Sequence, residues 1–462
     1  MSSRTPDKKE SFKQKLDSRR KRRAARIRAI ERFIKRESFG GILLLVAAVA
    51  AMIIANSPWS EQYFNLLHMD AGVKLGRFSL EMSLEHWINH GLIALFFLLI
   101  GLEVKREVLA GELSSPSRLA FPAVAAVGGM VVPALLYFLV NMSDGGVPRG
   151  FGIPMGTDTA FAIGILALLG KRVPLSLKVF LVSTAVIDDV GVVIIIAAAY
   201  TSSIDWAALG WAGLVIAGLI ALNIGGVKKL VPYLLLGLIL WYFVLQSGLH
   251  ATLAGIILAL TIPLRQKISC SEFIDTCKTG LEVFGSAEGR RTNVLLTYEQ
   301  QDTLDKMGKA YEQVQNPLLR LEHSLHPISA YFVMPVFALA NAGIPFGGGI
   351  DIWQPVALGI MLGLVIGKPL GIVGLTFVLT KLKLLRKPSS CQWQHIIGAG
   401  LLGGMGFTMS MFIAVMSLDA EVINAAKLAI VLSSLVAGLV GALFIMSQPV
   451  GECETIDVDL PH

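Results

Sequence analysis

Charge is scarce in this chain. Only 16% of its 462 residues are Asp, Glu, Lys or Arg, 54% are hydrophobic, and the mean hydropathy is +0.65. That composition excludes an ordinary soluble protein and indicates an integral membrane protein, for which a polytopic bundle replaces the usual length-based estimate of domain number. Cysteine is scarcer still, with four residues: Cys270, Cys277, Cys391 and Cys453. All four fall on the side that the topology below assigns to the cytoplasm, so free thiols are expected instead of disulfides. Cys270 and Cys277 have no His nearby in sequence, which argues against zinc, and no cofactor is expected. A cleavable signal peptide is not expected either. The basic N-terminal stretch is too long, and no small-residue cleavage site follows a short apolar core.

The charge that is present is unevenly placed. Residues 1–37 hold fifteen Lys/Arg and five Asp/Glu, a balance of +10; the rest holds 40 − 15 = 25 basic and 33 − 5 = 28 acidic residues, a balance of −3. The basic character therefore belongs to an N-terminal arm. Within it, Ile27, Ile30 and Ile34 recur at helical spacing over residues 24–36, so the arm reads as an amphipathic helix able to lie on anionic membrane lipid. Nucleic-acid binding is the alternative partner for such an arm and is set aside, because basic arms beside membrane spans ordinarily fix topology.

Twelve apolar spans follow, near 38–56, 83–103, 119–140, 150–169, 175–200, 204–223, 228–246, 248–264, 327–346, 354–380, 393–417 and 422–446. With the N-terminus inside, the inside loops and flanks carry twelve Lys/Arg (Lys105, Arg106, Arg118, Lys171, Arg172, Lys178, Lys228, Lys229, Lys381, Lys383, Arg386 and Lys387), and the outside ones carry four (Lys74, Arg77, Arg149 and Lys427). That bias supports cytoplasmic termini and a multi-pass all-α protein. Three stretches are not spans. Residues 73–82 alternate around Gly76 as a small extracytoplasmic β-hairpin, and a lone hairpin is marginal in water, so a homodimer contact is expected there. Residues 268–316 form a cytoplasmic insertion with eight acidic and five basic residues. Leu304, Met307, Tyr311 and Val314 predict a surface helix in its second half, and its partner is unknown. Residues 447–462 form an acidic cytoplasmic tail, leaving 38–446 as the twelve-helix domain.

Asp188 and Asp189 are the only charged residues between Lys178 and Asp205. They sit mid-span, where a single Asp costs about 2.5–3.5 kcal/mol on insertion scales. Adjacent carboxylates also repel, which raises the proton affinity of at least one. A cation or a proton is the natural compensation; a structural salt bridge is the bland alternative. Two other spans are interrupted. The fourth contains Gly152, Pro154 and Gly156 followed by Asp158, and the eleventh contains Gly403, Gly404 and Gly406. Unwound backbone at membrane depth is tolerated only around a cavity or inside protein. Two such breaks in matching places predict inverted repeats, spans 3–5 and 10–12, with two discontinuous crossing helices and a midplane site. Lys368 is the only Lys or Arg central to any span. Asp158 can offset positive helix ends and Lys368 negative ones; Lys368 can alternatively pair with Asp188 or Asp189, or itself release a proton.

These stretches resemble the NhaA family of Na⁺/H⁺ antiporters. The matching segments are FFLLIGLEVKREV (96–108), FPAVAAVGGMVVPALLY (121–137), GIPMGTDTAFAIGILALLG (152–170), STAVIDDVGVVIIIA (183–197), SGLHATLAGI (247–256), RLEHSLHP (320–327), FALANAGI (337–344) and GKPLGI (367–372). The resemblance implies a transporter in a bacterial inner membrane, not an enzyme. It implies an ion site at Asp188 and Asp189, with Thr157 and Asp158 beside it, and Lys368 as the family's lysine on the tenth helix. Glu103, His250, Glu322 and His323 match positions linked to pH response near the cytoplasmic funnel, and hairpin 73–82 matches the family's dimer contact. The insertion 268–316 departs from the family's usual short loop. The expected function is expulsion of Na⁺ or Li⁺ in exchange for inward H⁺, electrogenic and pH-regulated, serving sodium tolerance and cytoplasmic pH. A cation channel, a sodium-coupled symporter and a non-transporting sensor remain as rival readings. The symporter is disfavoured because no Arg or aromatic cluster flanks the breaks.

Overall fold

The structure, a computed structural model, describes residues 39–448 except 76–77, 112–113, 171–172, 201–203, 267, 287–295, 347–349 and 388–391. The basic arm, all but the first two residues of the acidic tail, Cys391 and Cys453 lie outside the described residues. Cys270 and Cys277 are free thiols.

Sixteen helices and one two-stranded sheet occupy the described residues. In chain order they begin with α1 (Phe39–Ala55), α2 (Ser60–His68), β1 (Asp70–Leu75), β2 (Phe78–Ser83), α3 (Leu84–Ala110) and α4 (Pro116–Val140). A 3₁₀ segment, Pro148–Met155, leads into α5 (Thr159–Leu168). Then come α6 (Leu175–Ala199), α7 (Trp206–Ile224), α8 (Leu230–Gln246), α9 (Thr252–Thr261), α10 (Cys270–Ser286), α11 (Tyr298–Val314) and α12 (317–341). The chain closes with α13 (Pro355–Lys381), α14 (Trp393–Gly403), α15 (Phe407–Ser417) and α16 (Ala420–Ser447). Each of the twelve apolar stretches of the sequence carries helix. By length and apolar composition, seven described helices can cross a membrane, or up to nine if each bent pair is one span.

Local chemistry sets these boundaries. Asp205 caps α7, accepting from the N–H groups of Ala207 (2.8 Å) and Ala208 (3.2 Å). Thr297 and Gln300 form a reciprocal capping box at the start of α11. Among the described residues three helices widen into π turns, at Trp87–Leu92, Ser329–Val333 and Gly363–Gly367. The last two lie just before a proline, Pro335 or Pro369, which has no N–H for the carbonyl four residues back. The hairpin has antiparallel register Ala71↔Met82, Val73↔Leu80 and Leu75↔Phe78, and Trp87 Nε1 donates to Ala71 O at 2.6 Å.

Contacts divide the chain into two units. One comprises the residues up to Trp59, Val124–Ala185 and those from Asn341 onward; the other comprises Ser60–Ala123 and Val186–Ala340. In the second unit, α3 and α9 pack side by side. A Cβ on Gly255 would stand 2.5 Å from Ala94 O, and one on Gly101 would stand 2.7 Å from Ala259 Cβ. Lys105 Nζ then caps the end of α9, donating to Leu260 O (2.7 Å) and Ile262 O (2.5 Å). Leu98, Leu219, Tyr233, Leu240, Leu258 and Leu318 belong to the core of this unit. The insertion is a pair of helices, α10 and α11, packed on each other through Gly280 and Met307. Sequence reasoning expected only the second, although Phe273, Ile274, Cys277, Leu281 and Phe284 repeat at helical spacing along the first.

In the other unit, α16 packs against α13, α14 and α15. Helices α4 and α13 cross backbone to backbone: a Cβ on Gly128 would fall 2.1 Å from Gly371 O, and one on Gly371 would fall 2.0 Å from Gly128 O. No rotamer change relieves a clash with a main-chain oxygen, so the two helices would have to separate. Gly371→Ala should therefore lower thermal stability by about 1–3 kcal/mol or more, read by denaturation of the purified protein. Gly374→Ala, with open space around the added carbon, is the control expected to match wild type.

Candidate functional site

The two sequence breaks lie together in the first unit, and hydrogen bonds join them. The first break is Gly156–Asp158, between the 3₁₀ segment and α5; the second is Gly404–Gly406, between α14 and α15, which bend by 41°. Four helix ends therefore leave unpaired N–H and C=O groups within the protein, and each needs a partner. Asp158 serves both N-terminal ends. Its Oδ1 accepts from Phe161 N (3.1 Å) at the start of α5, and its Oδ2 accepts from Thr408 N (3.1 Å) and Thr408 Oγ1 (2.7 Å) at the start of α15. Its own backbone N–H donates to Met405 O at 2.6 Å. A carboxylate between two helix N-termini is favoured by both macrodipoles.

Hydroxyls and an ammonium serve the carbonyl ends. Thr157 Oγ1 donates to Gly403 O (3.3 Å), at the end of α14, and Ser410 Oγ donates to Ile153 O (2.6 Å), near the end of the 3₁₀ segment. The exchange is reciprocal, since each broken element lends a hydroxyl to the other. Lys368 follows the π turn of α13 and is fully buried; its Nζ donates to Met155 O. Gly156 leaves room for Met409, whose Cβ would stand 2.5 Å from an added Cβ. Thr157, Asp158, Lys368, Thr408 and Ser410 are all less than 4% exposed.

Asp188 and Asp189 stand at the fourteenth and fifteenth positions of the 25-residue α6 and are buried, at 0% and 8% exposure. Neighbouring residues on a helix point about 100° apart, so the two carboxylates present different faces. Among the described residues, no group of three or more His, Cys, Asp or Glu side chains is placed to hold a metal ion. Carboxylate oxygens are hard donors, of the kind that suit a small hard cation.

The residues that the resemblance led us to expect in a pH response separate into two places. Arg106 on α3 binds Glu322 of α12 through Nη1 and Glu107 through Nη2 (2.8 Å), with Glu103 and His326 close enough to act electrostatically. Glu322 precedes the apolar stretch 327–346. Burial pushes its carboxyl above the usual carboxylate range, and Arg106 pulls the other way. His323 is exposed on the next residue. His250 stands apart from this group. It precedes α9, donates through Nε2 to Tyr200 O (3.2 Å), and acts electrostatically on His90 near the start of α3. Helices α3 and α9 run in the same direction, so His250 meets the His90 end. Glu103 stands 103 − 90 = 13 residues further on, roughly 20 Å of helix rise.

Sequence reasoning did not single out Thr408, Ser410, Arg106, Glu107 or His326. The signal available for the first two was a hydroxyl two and four residues after the last glycine of the break. Glu322 is buried while Arg106 is about a third exposed, so removing the arginine strands a buried carboxylate that solvent reaches only in part. Arg106→Ala should therefore cost about 1–3 kcal/mol of stability, seen as a lowered denaturation temperature, and Arg106→Ala/Glu322→Gln together should recover part of it. Equal stability of the single and double variants would contradict the pairing.

The family model described as Na⁺/H⁺ antiporter 1 matches residues 31–445. The Na(+)/H(+) antiporter NhaA of Wolinella succinogenes is 49% identical over 416 residues, covering 89% of this chain and 92% of that protein. Na(+)/H(+) antiporter NhaA 2 of Helicobacter hepaticus is 46% identical over 422 residues (90% and 95%), and the NhaA of Helicobacter pylori strain HPAG1 is 48% identical over 423 residues (90% and 95%). Among solved structures, the sodium proton antiporter MjNhaP1 of Methanocaldococcus jannaschii aligns over 89% of this chain and 92% of that one, with 13% identity and a TM-score of 0.47.

Proposed function

The chain belongs to the Na⁺/H⁺ antiporter 1 family and carries out sodium/proton antiport, and we propose that it expels Na⁺ or Li⁺ in exchange for inward H⁺ on Asp188 and Asp189. The observation that carries this assignment is the pair itself: two adjacent buried carboxylates, the only acidic residues of a 25-residue apolar helix. Ionised, they suit a small hard cation; protonated, they do not. Cation and protons therefore compete for the same oxygens, and cation binding must release protons. Alternating access then carries one cargo or the other, never both. Two carboxylates can hold more than one proton against one Na⁺, so exchange moves net charge. Acid on the cytoplasmic side keeps the pair protonated and stops transport.

Thr157 and Asp158 contribute to ion and proton binding in this reading, and Asp158 and Lys368 also hold the broken helix ends. The reciprocal bonds Thr157–Gly403 and Ser410–Ile153 support inverted repeats, spans 3–5 and 10–12, within a twelve-span protein. Glu103, Glu322 and His323, with Arg106, form a cluster that tunes the response to cytoplasmic pH; His250 acts from its separate position by Tyr200. The protein is a homodimer through hairpin 73–82 in the inner membrane, with both termini cytoplasmic, the basic arm on anionic lipid and no nucleic acid or cofactor involved. Insertion 268–316 lies on the cytoplasmic side, and its partner is unknown.

Proton flux in everted vesicles tests the assignment. Sodium or lithium should collapse a preformed proton gradient across an alkaline pH series, and potassium should not. A gradient unaffected by sodium at every pH, in protein shown to be folded, would refute it; cation flux without counter-moving protons would mark a channel.

A further inference from the structure

Thr184 stands one turn before Asp188 on α6, on the same face by the i, i+4 relation. Its side chain is 3% exposed, and its Oγ1 makes no hydrogen bond among the described residues. A helical threonine commonly returns its hydroxyl to the carbonyl four residues back. Thr376 does so to Ile372 O at 2.6 Å, and Thr303 to Glu299 O at 2.7 Å. Thr184 does not do this with Phe180. A valine would fill the same volume without a hydroxyl, and leaving a buried hydroxyl unmet is unfavourable. Its presence therefore asks for a partner that arrives later.

Helix geometry limits what that partner can be. Side chains at i and i+4 have Cβ atoms about 5–6 Å apart, a gap that one cation bound to an oxygen on each side can fill. Hard cations accept hydroxyl and carbonyl oxygens as well as carboxylates. We propose that Thr184 Oγ1 is a direct ligand of the transported cation, bound together with Asp188. The inference rests on Asp188 being an ion-binding carboxylate. A neutral hydroxyl adds a coordinating oxygen without adding charge or an exchangeable proton. It therefore sets cation affinity and leaves the number of protons exchanged per cation alone.

Thr184→Val, Thr184→Ser and Asp188→Asn in the purified full-length chain separate the possibilities. Two readouts are needed: the rise in denaturation temperature on adding NaCl or LiCl over choline chloride at alkaline pH, and the apparent KM for Na⁺ in proteoliposomes. Ligand binding to the folded state raises the denaturation temperature, and at a given concentration the tighter the binding the larger the rise. Thr184→Val should be as stable as wild type or more so without sodium, should lose most of the sodium-induced rise, and should raise the apparent KM for Na⁺ five- to ten-fold. Thr184→Ser should restore both. A purely structural threonine would give the opposite pattern, with lower stability without sodium and an intact sodium-induced rise, and that pattern overturns the proposal. Asp188→Asn should abolish the sodium-induced rise. If Asp188→Asn abolishes it and Thr184→Val leaves it intact, the threonine is not a ligand and the carboxylate assignment stands. If Asp188→Asn keeps it, the carboxylate assignment fails and the ligand proposal fails with it.

Discussion

Asp188→Asn and Asp189→Asn should each abolish sodium-dependent proton exchange while leaving the protein at least as stable as wild type. The two halves of this expectation have separate causes. Asparagine keeps the size and a carbonyl oxygen but removes the titratable proton, so no proton can be exchanged at that position. It also removes a charge from the cation's surroundings. Losing one partner of a buried charge interaction costs about 2–5 kcal/mol, or roughly 30- to several-thousand-fold in affinity. Stability should move the other way, because an ionised Asp in the middle of an apolar helix costs about 2.5–3.5 kcal/mol on insertion scales. A carboxylate pair kept for structure would give the reverse, with exchange preserved and stability lost. Exchange measured in vesicles and denaturation of the same protein in detergent together decide between them.

Asp158→Ala is the second large effect, and it falls first on stability. The alanine leaves three donors without their acceptor: the half-buried Phe161 N and the buried Thr408 N and Thr408 Oγ1. Hydrogen bonds to a charged group contribute about 1.5–3 kcal/mol each, and an unmet buried donor carries a penalty of about 1–3 kcal/mol. Because the three share one acceptor, the terms do not add fully; a total loss of about 3–5 kcal/mol is expected. The N-terminal ends of α5 and α15 would then face each other with their partial positive charges unopposed. Asp158→Asn should be milder, because one oxygen remains to accept. Thermal denaturation of both variants beside wild type gives the order wild type, then Asn, then Ala. Coincident curves for all three would show that the carboxylate does not hold the crossing.

Several features were legible because their causes are local. Each apolar run became helix, since an uninterrupted apolar stretch in a membrane has no other way to satisfy its backbone. The hairpin register followed from alternation on either side of Gly76. Both breaks fell where glycine and proline weaken the helix, at Gly156 and at Gly404–Gly406. Partners distant in sequence were not legible. Thr157 reaches a carbonyl 246 residues away, and Ser410 reaches one 257 residues away. A hydroxyl near a glycine does not announce which helix end it will serve. The π turns at Ser329–Val333 and Gly363–Gly367 had a visible cause in Pro335 and Pro369, but a proline can equally kink or break a helix. His250 was grouped by role with Glu322, and only the parallel packing of α3 and α9 shows that the two stand at opposite ends. The first helix of the insertion has a local cause as well, the helical spacing of Phe273, Ile274, Cys277, Leu281 and Phe284.

The central claim is that sodium and protons compete for one pair of carboxylates. Proton release on sodium addition tests it most directly. Purified protein in weakly buffered detergent solution at alkaline pH is titrated with NaCl, with choline chloride as the control, and the liberated protons are counted by a pH dye. Release that saturates with sodium, shrinks as the solution is made more alkaline and vanishes in Asp188→Asn/Asp189→Asn is the predicted result. Sodium binding with no proton release at any pH, or equal release from the doubly substituted protein, would contradict it.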